Sequence, residues 1–124
     1  MWTYLSVGLG GAVGCCARYG VTQLVQLVCG KSFPLATLII NVLGCFLMGF
    51  LFFETLERLS VSPVMRTAIL TGGLGGFTTF STFSIETLLL FEDGETVYAV
   101  SYLLLSVFLG LLAAVLGAYI SRNL

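Results

Sequence analysis

The chain has 124 residues, 58% hydrophobic and 9% charged, with Lys+Arg 5, Asp+Glu 6, no His and a formal net charge of -1. Soluble domains average about 25% charged residues, so this composition and a mean hydropathy of +1.08 exclude a soluble globular protein. The absence of any basic patch argues against a nucleic-acid partner.

A membrane span needs about 20 apolar residues, so the length holds four spans with short connections as a single membrane domain over residues 1–124. The first predicted span covers about residues 2–29. Its apolar run is too long for a signal peptide and has no basic segment before it. Trp2 and Tyr4 suit a membrane interface at its start, and Gly10-x-x-x-Gly14 makes a face that another backbone can approach closely. Arg18 is the one charge inside. Two readings stand side by side: a snorkelling guanidinium, or an anion attractor at an aqueous vestibule.

Gly30 to Pro34 reads as a turn, with Pro34 suited to the first turn of the next helix. The second span, about 35–53, carries Thr37 and Asn41 four residues apart on one face. Asn41 either ties helices together through its amide or presents amide donors to a passing anion. Gly44 and Cys45-x-x-x-Gly49 give a second close-approach face. The cysteines Cys15, Cys16, Cys29 and Cys45 read as small apolar packing, since no His and no Cys-x-x-Cys accompany them. Glu54, Glu57, Arg58 and Arg66 read as solvated charges of an aqueous loop.

The third span, about 64–91, contains Gly72-Gly73-Leu74-Gly75-Gly76, followed by Phe77-Thr78-Thr79-Phe80-Ser81-Thr82-Phe83. Each glycine costs about 1 kcal/mol relative to alanine in a helix, so the sequence predicts a break at Gly72 to Gly76. A break at membrane depth persists only where protein or a water-filled cavity satisfies the freed backbone groups. It is therefore a candidate ion site, with carbonyls facing cations and the restarted helix N-terminus favouring anions. Past it, Phe80, Phe83 and Thr87 fall on one predicted face, with Ser81 and Thr82 beside them. Glu86, about a turn from the acidic loop Glu92-Asp93-Gly94-Glu95, reads as a vestibule carboxylate. The fourth span, about 97–120, carries Tyr102 and Ser106, then Gly110-x-x-x-Ala114 and Ala113-x-x-x-Gly117 as packing faces.

Four spans put Arg58, Arg66 and Arg122 on one side and Lys31 on the other, with Arg18 close by. That small bias permits insertion in both orientations. Four helices also lack the girth to shield a polar pathway from lipid. The simplest closed assembly of two opposed orientations is an antiparallel two-fold homodimer.

Gly11-Ala12-x-x-x-x-x-Arg18-Tyr19, Thr37-x-x-x-Asn41-x-x-Gly44 and the run Gly75 to Phe83 together resemble the Fluc (CrcB) fluoride channel family over nearly the whole chain. The resemblance implies an all-α membrane protein in the cell (inner) membrane, with four spans, the third broken, assembled as a dual-topology homodimer with two pores. It further implies passive export of fluoride from the cytoplasm and a structural sodium ion (Na+) at the dimer centre. Carried onto this chain, the sodium ligands are the carbonyls of Gly75 and Thr78. The pore phenylalanines are Phe80 and Phe83, the pore amide is Asn41, and the polar track is Ser81 and Thr82, with Thr37, Tyr102 and Ser106 as looser matches.

The chemistry is consistent with this. Fluoride is small and strongly hydrated, so amide and hydroxyl donors must replace its water, and ring edges carry partial positive charge. No nucleophile and base pair with one another, which argues against an enzyme. The competing reading is a small multidrug-type proton-coupled exporter, which would need a membrane-embedded carboxylate; the first span has none and Glu86 lies near a span end.

Overall fold

The computed structural model describes residues 1–124, the side chain of Leu56 excepted, and its regular structure is helical. Helix α1 runs over Trp2–Cys29 and stops at Gly30, whose φ of 78° is one that a glycine adopts without a Cβ penalty. Helix α2 (Leu35–Phe53) continues into a π-helical turn, Glu54–Arg58. Ser62 then caps the next helix, its hydroxyl accepting the Met65 N–H at 3.2 Å, with Pro63 in the first turn. From there Pro63–Thr67, the π-helical Ala68–Leu74 and Gly75–Phe77 follow without interruption as one arm, α3. Helix α4 (Phe80–Glu92) and, after a turn at Gly94, helix α5 (Thr96–Arg122) complete the chain.

Among the described residues, three segments are long and apolar enough to cross a membrane: Leu35–Phe53, Pro63–Glu92 and Thr96–Arg122. Their bounds lie within two residues of the sequence expectation. Helix α1, at 28 residues, has the length of a span, but Arg18, Gln23, Gln26 and its glycines dilute its hydropathy.

The break is not where the glycines suggested. Gly72 to Gly76 are helical, with Gly75 at φ -63° and ψ -36°. The chain leaves the helix at Thr78 (φ -82°, ψ 157°) and Thr79 (φ -150°, ψ 118°). Intrinsic propensity is a weak prior that tertiary contact overrides, and here the contact is α1. A Cβ on Gly10 would run into the Ala68 carbonyl, on Gly14 into the Gly73 carbonyl, and on Gly76 would lie 2.8 Å from the Gly11 carbonyl. The glycines of both segments serve a backbone-to-backbone contact, and that contact holds α3 helical.

Helices α2 and α5 form the second close pair by the same means. A Cβ on Gly49 would strike the Ala114 carbonyl and one on Gly117 the Phe46 carbonyl, while Gly44 lies under the Thr78 methyl. In lipid, apolar burial gives helices little reason to associate, so such close approach and interhelical hydrogen bonds carry the assembly. The buried cluster is accordingly small: Leu38, Phe83 and Tyr102, with Phe33, Leu35, Val42 and Leu90 against it.

Two other sequence readings are corrected. Cys45 packs beside Gly110, but Cys15, Cys16 and Cys29 are exposed on the protomer. The loop charges are not simply solvated. Glu54 is buried and 3.5 Å from Arg58, and Arg66 donates to Thr55 Oγ1 (3.1 Å) and to the Phe52 carbonyl (3.2 Å) while lying over the Phe52 ring.

Candidate functional site

The extended pair Thr78-Thr79 sits between the end of α3 and the start of α4, and side chains from three elements take over the hydrogen bonds the helix has lost. Asn41 of α2 donates Nδ2–H to the Thr79 carbonyl at 2.9 Å and accepts the Thr79 N–H on Oδ1 at 2.8 Å. The Thr79 hydroxyl caps α4 by accepting the Thr82 N–H at 3.2 Å, and donates to Thr82 Oγ1 at 3.1 Å. Arg18 of α1 donates Nε–H to the Gly76 carbonyl at 3.2 Å.

These bonds have a consequence for two carbonyls. In an uninterrupted helix the Gly75 carbonyl would accept from the Thr79 N–H and the Thr78 carbonyl from the Thr82 N–H. Both donors are diverted, one to Asn41 Oδ1 and the other to Thr79 Oγ1. Gly75 and Thr78 thus have carbonyls released from the helical ladder, in a segment where such oxygens need another partner.

Beside the break lies an open groove of about 450 Å³, lined among others by Asn41, Cys45, Thr78, Thr79, Phe80, Phe83 and Ser106. Its walls are largely apolar. Polar atoms enter it at few points, as in sites that strip water from a ligand. An Asn amide carries two N–H donors, and one bond to Thr79 leaves Asn41 a second. The Ser106 hydroxyl is buried and has no hydrogen-bond partner among the described residues, an arrangement that is costly without a ligand or water to satisfy it.

Phe80 and Phe83 do not share an environment, although their spacing predicted one face. Their rings are 5.6 Å apart, but Phe80 is 79% exposed while Phe83 and Thr87 are buried. Phe83 meets Tyr102 edge to face at 5.1 Å. Tyr102, fully buried, donates its hydroxyl to Glu86 Oε1 at 3.0 Å, and buried Thr37 lies beside it. Glu86 in turn lines a second cavity of about 230 Å³ together with Lys31, Asp93 and Gln26 at the α1–α2 turn. Phe83, Tyr102 and Glu86 therefore link the groove to a cavity at one end of the helices.

The structure brings Asn41, Phe80, Phe83 and Ser106 to the groove, puts Ser81 and Thr82 in the first turn of α4, and gathers Thr37, Tyr102 and Glu86 behind it. Arg18 is not in the Glu86 cavity; it is half-buried against Gly76. The residue whose importance the sequence reading missed is Thr79, both N-cap and Asn41 partner. Its signal was local: a threonine directly before an apolar helical run, three residues ahead of a second threonine.

A family model described as CrcB-like protein, Camphor Resistance (CrcB) matches residues 5–118. A protein of Acidithiobacillus ferrooxidans named fluoride-specific ion channel FluC is 61% identical over 121 residues, covering 98% of this chain and 97% of its own. Proteins of the same name from Coxiella burnetii, 50% identical over 121 residues, and Magnetococcus marinus, 47% over 116, cover 97% and 94% of this chain and 98% and 94% of their own. Coverage from end to end at such identity leaves one assignment: the chain belongs to the CrcB family.

Proposed function

We propose that this protein is a membrane channel that passes fluoride selectively and passively out of the cytoplasm. The observation that carries the reading is the groove beside the break. There, in a member of a family whose relatives are named fluoride channels, the spare Asn41 amide donor and the unpaired Ser106 hydroxyl meet the rings of Phe80 and Phe83. Dehydrated fluoride needs several short hydrogen bonds. Asn41, Ser106, Ser81 and Thr82 supply N–H and O–H donors, and ring edges add partial positive charge without offering an acceptor. Glu86 lines the approach from the Lys31 end, with buried Tyr102 and Thr37 behind it.

The exposed Phe80 supports an assembly in which a second protomer completes the pathway: a pore-facing ring open to lipid would leave the ion unshielded. With α1 as a fourth span and a weak Lys/Arg bias, the assembly is an antiparallel dual-topology homodimer. The released carbonyls of Gly75 and Thr78 fit a structural sodium ion, since neutral oxygen ligands suit a hard alkali cation. When bound, the ion supplies fixed positive charge beside the anion path.

Fluoride efflux from liposomes holding the purified protein tests the reading, with chloride and a lipophilic cation as controls. Fluoride flux without chloride flux is expected. Drug-dependent proton movement without fluoride flux would establish the proton-coupled exporter instead.

A further inference from the structure

We infer that Arg18 is a positioning residue: it fastens the end of α3 through the Gly76 carbonyl and thereby fixes the geometry of the break, instead of attracting anions by its charge at a vestibule. Three observations carry this. The first is its placement. Gly11, Gly14, Cys15 and Arg18 recur at helical spacing along one side of α1. The lower part of that side is pressed against α3 so tightly that a Cβ on Gly14 would strike the Gly73 carbonyl and one on Gly76 would lie 2.8 Å from the Gly11 carbonyl and 3.4 Å from the Cys15 nitrogen. Arg18, one turn further on, is delivered to the Gly76 carbonyl by this contact.

The second is the fate of the carbonyls at the end of α3. Leu74 accepts from both the N–H and the hydroxyl of Thr78, each at 3.0 Å. Gly75 loses its helical donor to Asn41. Gly76 receives Arg18 Nε–H at 3.2 Å. The bond from α1 and the Asn41 pair from α2 thus hold the two sides of the extended Thr78-Thr79 link, one just before it and one within it. The third is electrostatic. A helix C-terminus is its negative end, where a cation is stabilised. Arg18 is half-buried there, with its Nε–H committed to the Gly76 carbonyl.

Glutamine separates hydrogen bond from charge, because its Nε2 follows Cδ as Arg Nε does and carries an N–H at the same depth. Arg18→Gln and Arg18→Met are compared with the unaltered protein by fluoride efflux and by hydrogen–deuterium exchange of the amides from Phe77 to Thr82. The flux arm rests on the channel reading, which the unaltered protein decides by itself; the exchange arm does not. Arg18→Gln should keep both flux and exchange within about threefold, while Arg18→Met should lower flux and speed exchange by about tenfold each, as loss of a partly buried hydrogen bond does. Folding of the Gln variant alone would agree with this. Equal loss of flux in both variants with exchange unchanged would make Arg18 a charge attractor. Two unaffected variants, or two that fail to fold, would equally overturn the inference.

Discussion

Asn41 and Thr79 bind each other twice, amide to backbone, through Nδ2–H to the Thr79 carbonyl at 2.9 Å and Thr79 N–H to Oδ1 at 2.8 Å. The Oδ1 bond replaces the helical acceptor that Thr79 N–H loses at the interruption, and the Nδ2–H bond adds a second donor to a carbonyl that already accepts the first bond of α4, both at the wall of the groove. Asn41→Asp keeps the acceptor for Thr79 N–H but loses the donor and adds a charge that repels an anion. Fluoride efflux should fall about a hundredfold, and loss of the Nδ2–H bond to the Thr79 carbonyl should destabilise the fold by about 0.5–1.5 kcal/mol. Efflux within threefold of the unaltered rate would reduce Asn41 to a structural clamp.

Phe80 and Phe83 separate a pore role from packing. Phe80 is exposed and Phe83 is buried against Tyr102. Phe80→Ile should leave protomer stability unchanged, while Phe83→Ile should lower it by about 1 kcal/mol through repacking and the lost ring pair. Both should reduce fluoride flux by about tenfold or more, because each removes ring edges from the groove. If only Phe83→Ile lowers flux, in proportion to stability, the rings serve packing alone.

Two glycines of α1 should answer oppositely to alanine. Gly20 has open space around its Cα, whereas a Cβ on Gly14 would run into the Gly73 carbonyl and crowd the Phe77 nitrogen. Gly20→Ala should be neutral or stabilising by about 0.5–1 kcal/mol through helix propensity. Gly14→Ala should cost more than about 2 kcal/mol, since rigid backbone must move apart. Thermal unfolding in detergent measures both; equal melting temperatures would mean that α1 and α3 are not in backbone contact.

Sodium should stabilise the protein without travelling through it. Replacing sodium with a bulky organic cation should lower the melting temperature of the assembled protein, because a ligand that binds only the folded state stabilises it by mass action. The reversal potential with equal fluoride on both sides should stay at zero under a sodium gradient. A potential that follows sodium would show that the cation is transported.

Orientation should be mixed. Reporter tags after Arg122 should be found on both sides of the membrane, and two or three added lysines there should bias insertion and cut the working antiparallel dimer by about half or more. Single-sided labelling of active, unmodified protein would rule out dual topology.

The sequence by itself determined the class and the outer ends of the spans, because apolar run length, Gly30, Pro34 and Gly94 act locally on the chain. It also singled out Asn41, Phe80 and Phe83 by residue type and spacing, and the family resemblance added Ser106; the structure brings all four to one groove. Where the third span breaks was decided only by tertiary contact. Glycine propensity pointed to Gly72 to Gly76, but α1 packs those residues into a helix, and Asn41, Thr79 and Arg18 make the extended form affordable two residues later. The partition of the phenylalanines and the role of Arg18 were likewise invisible along the chain. A helical period tells which residues share a face but not which neighbour meets each turn of it, and Arg18 finds its carbonyl 58 residues away.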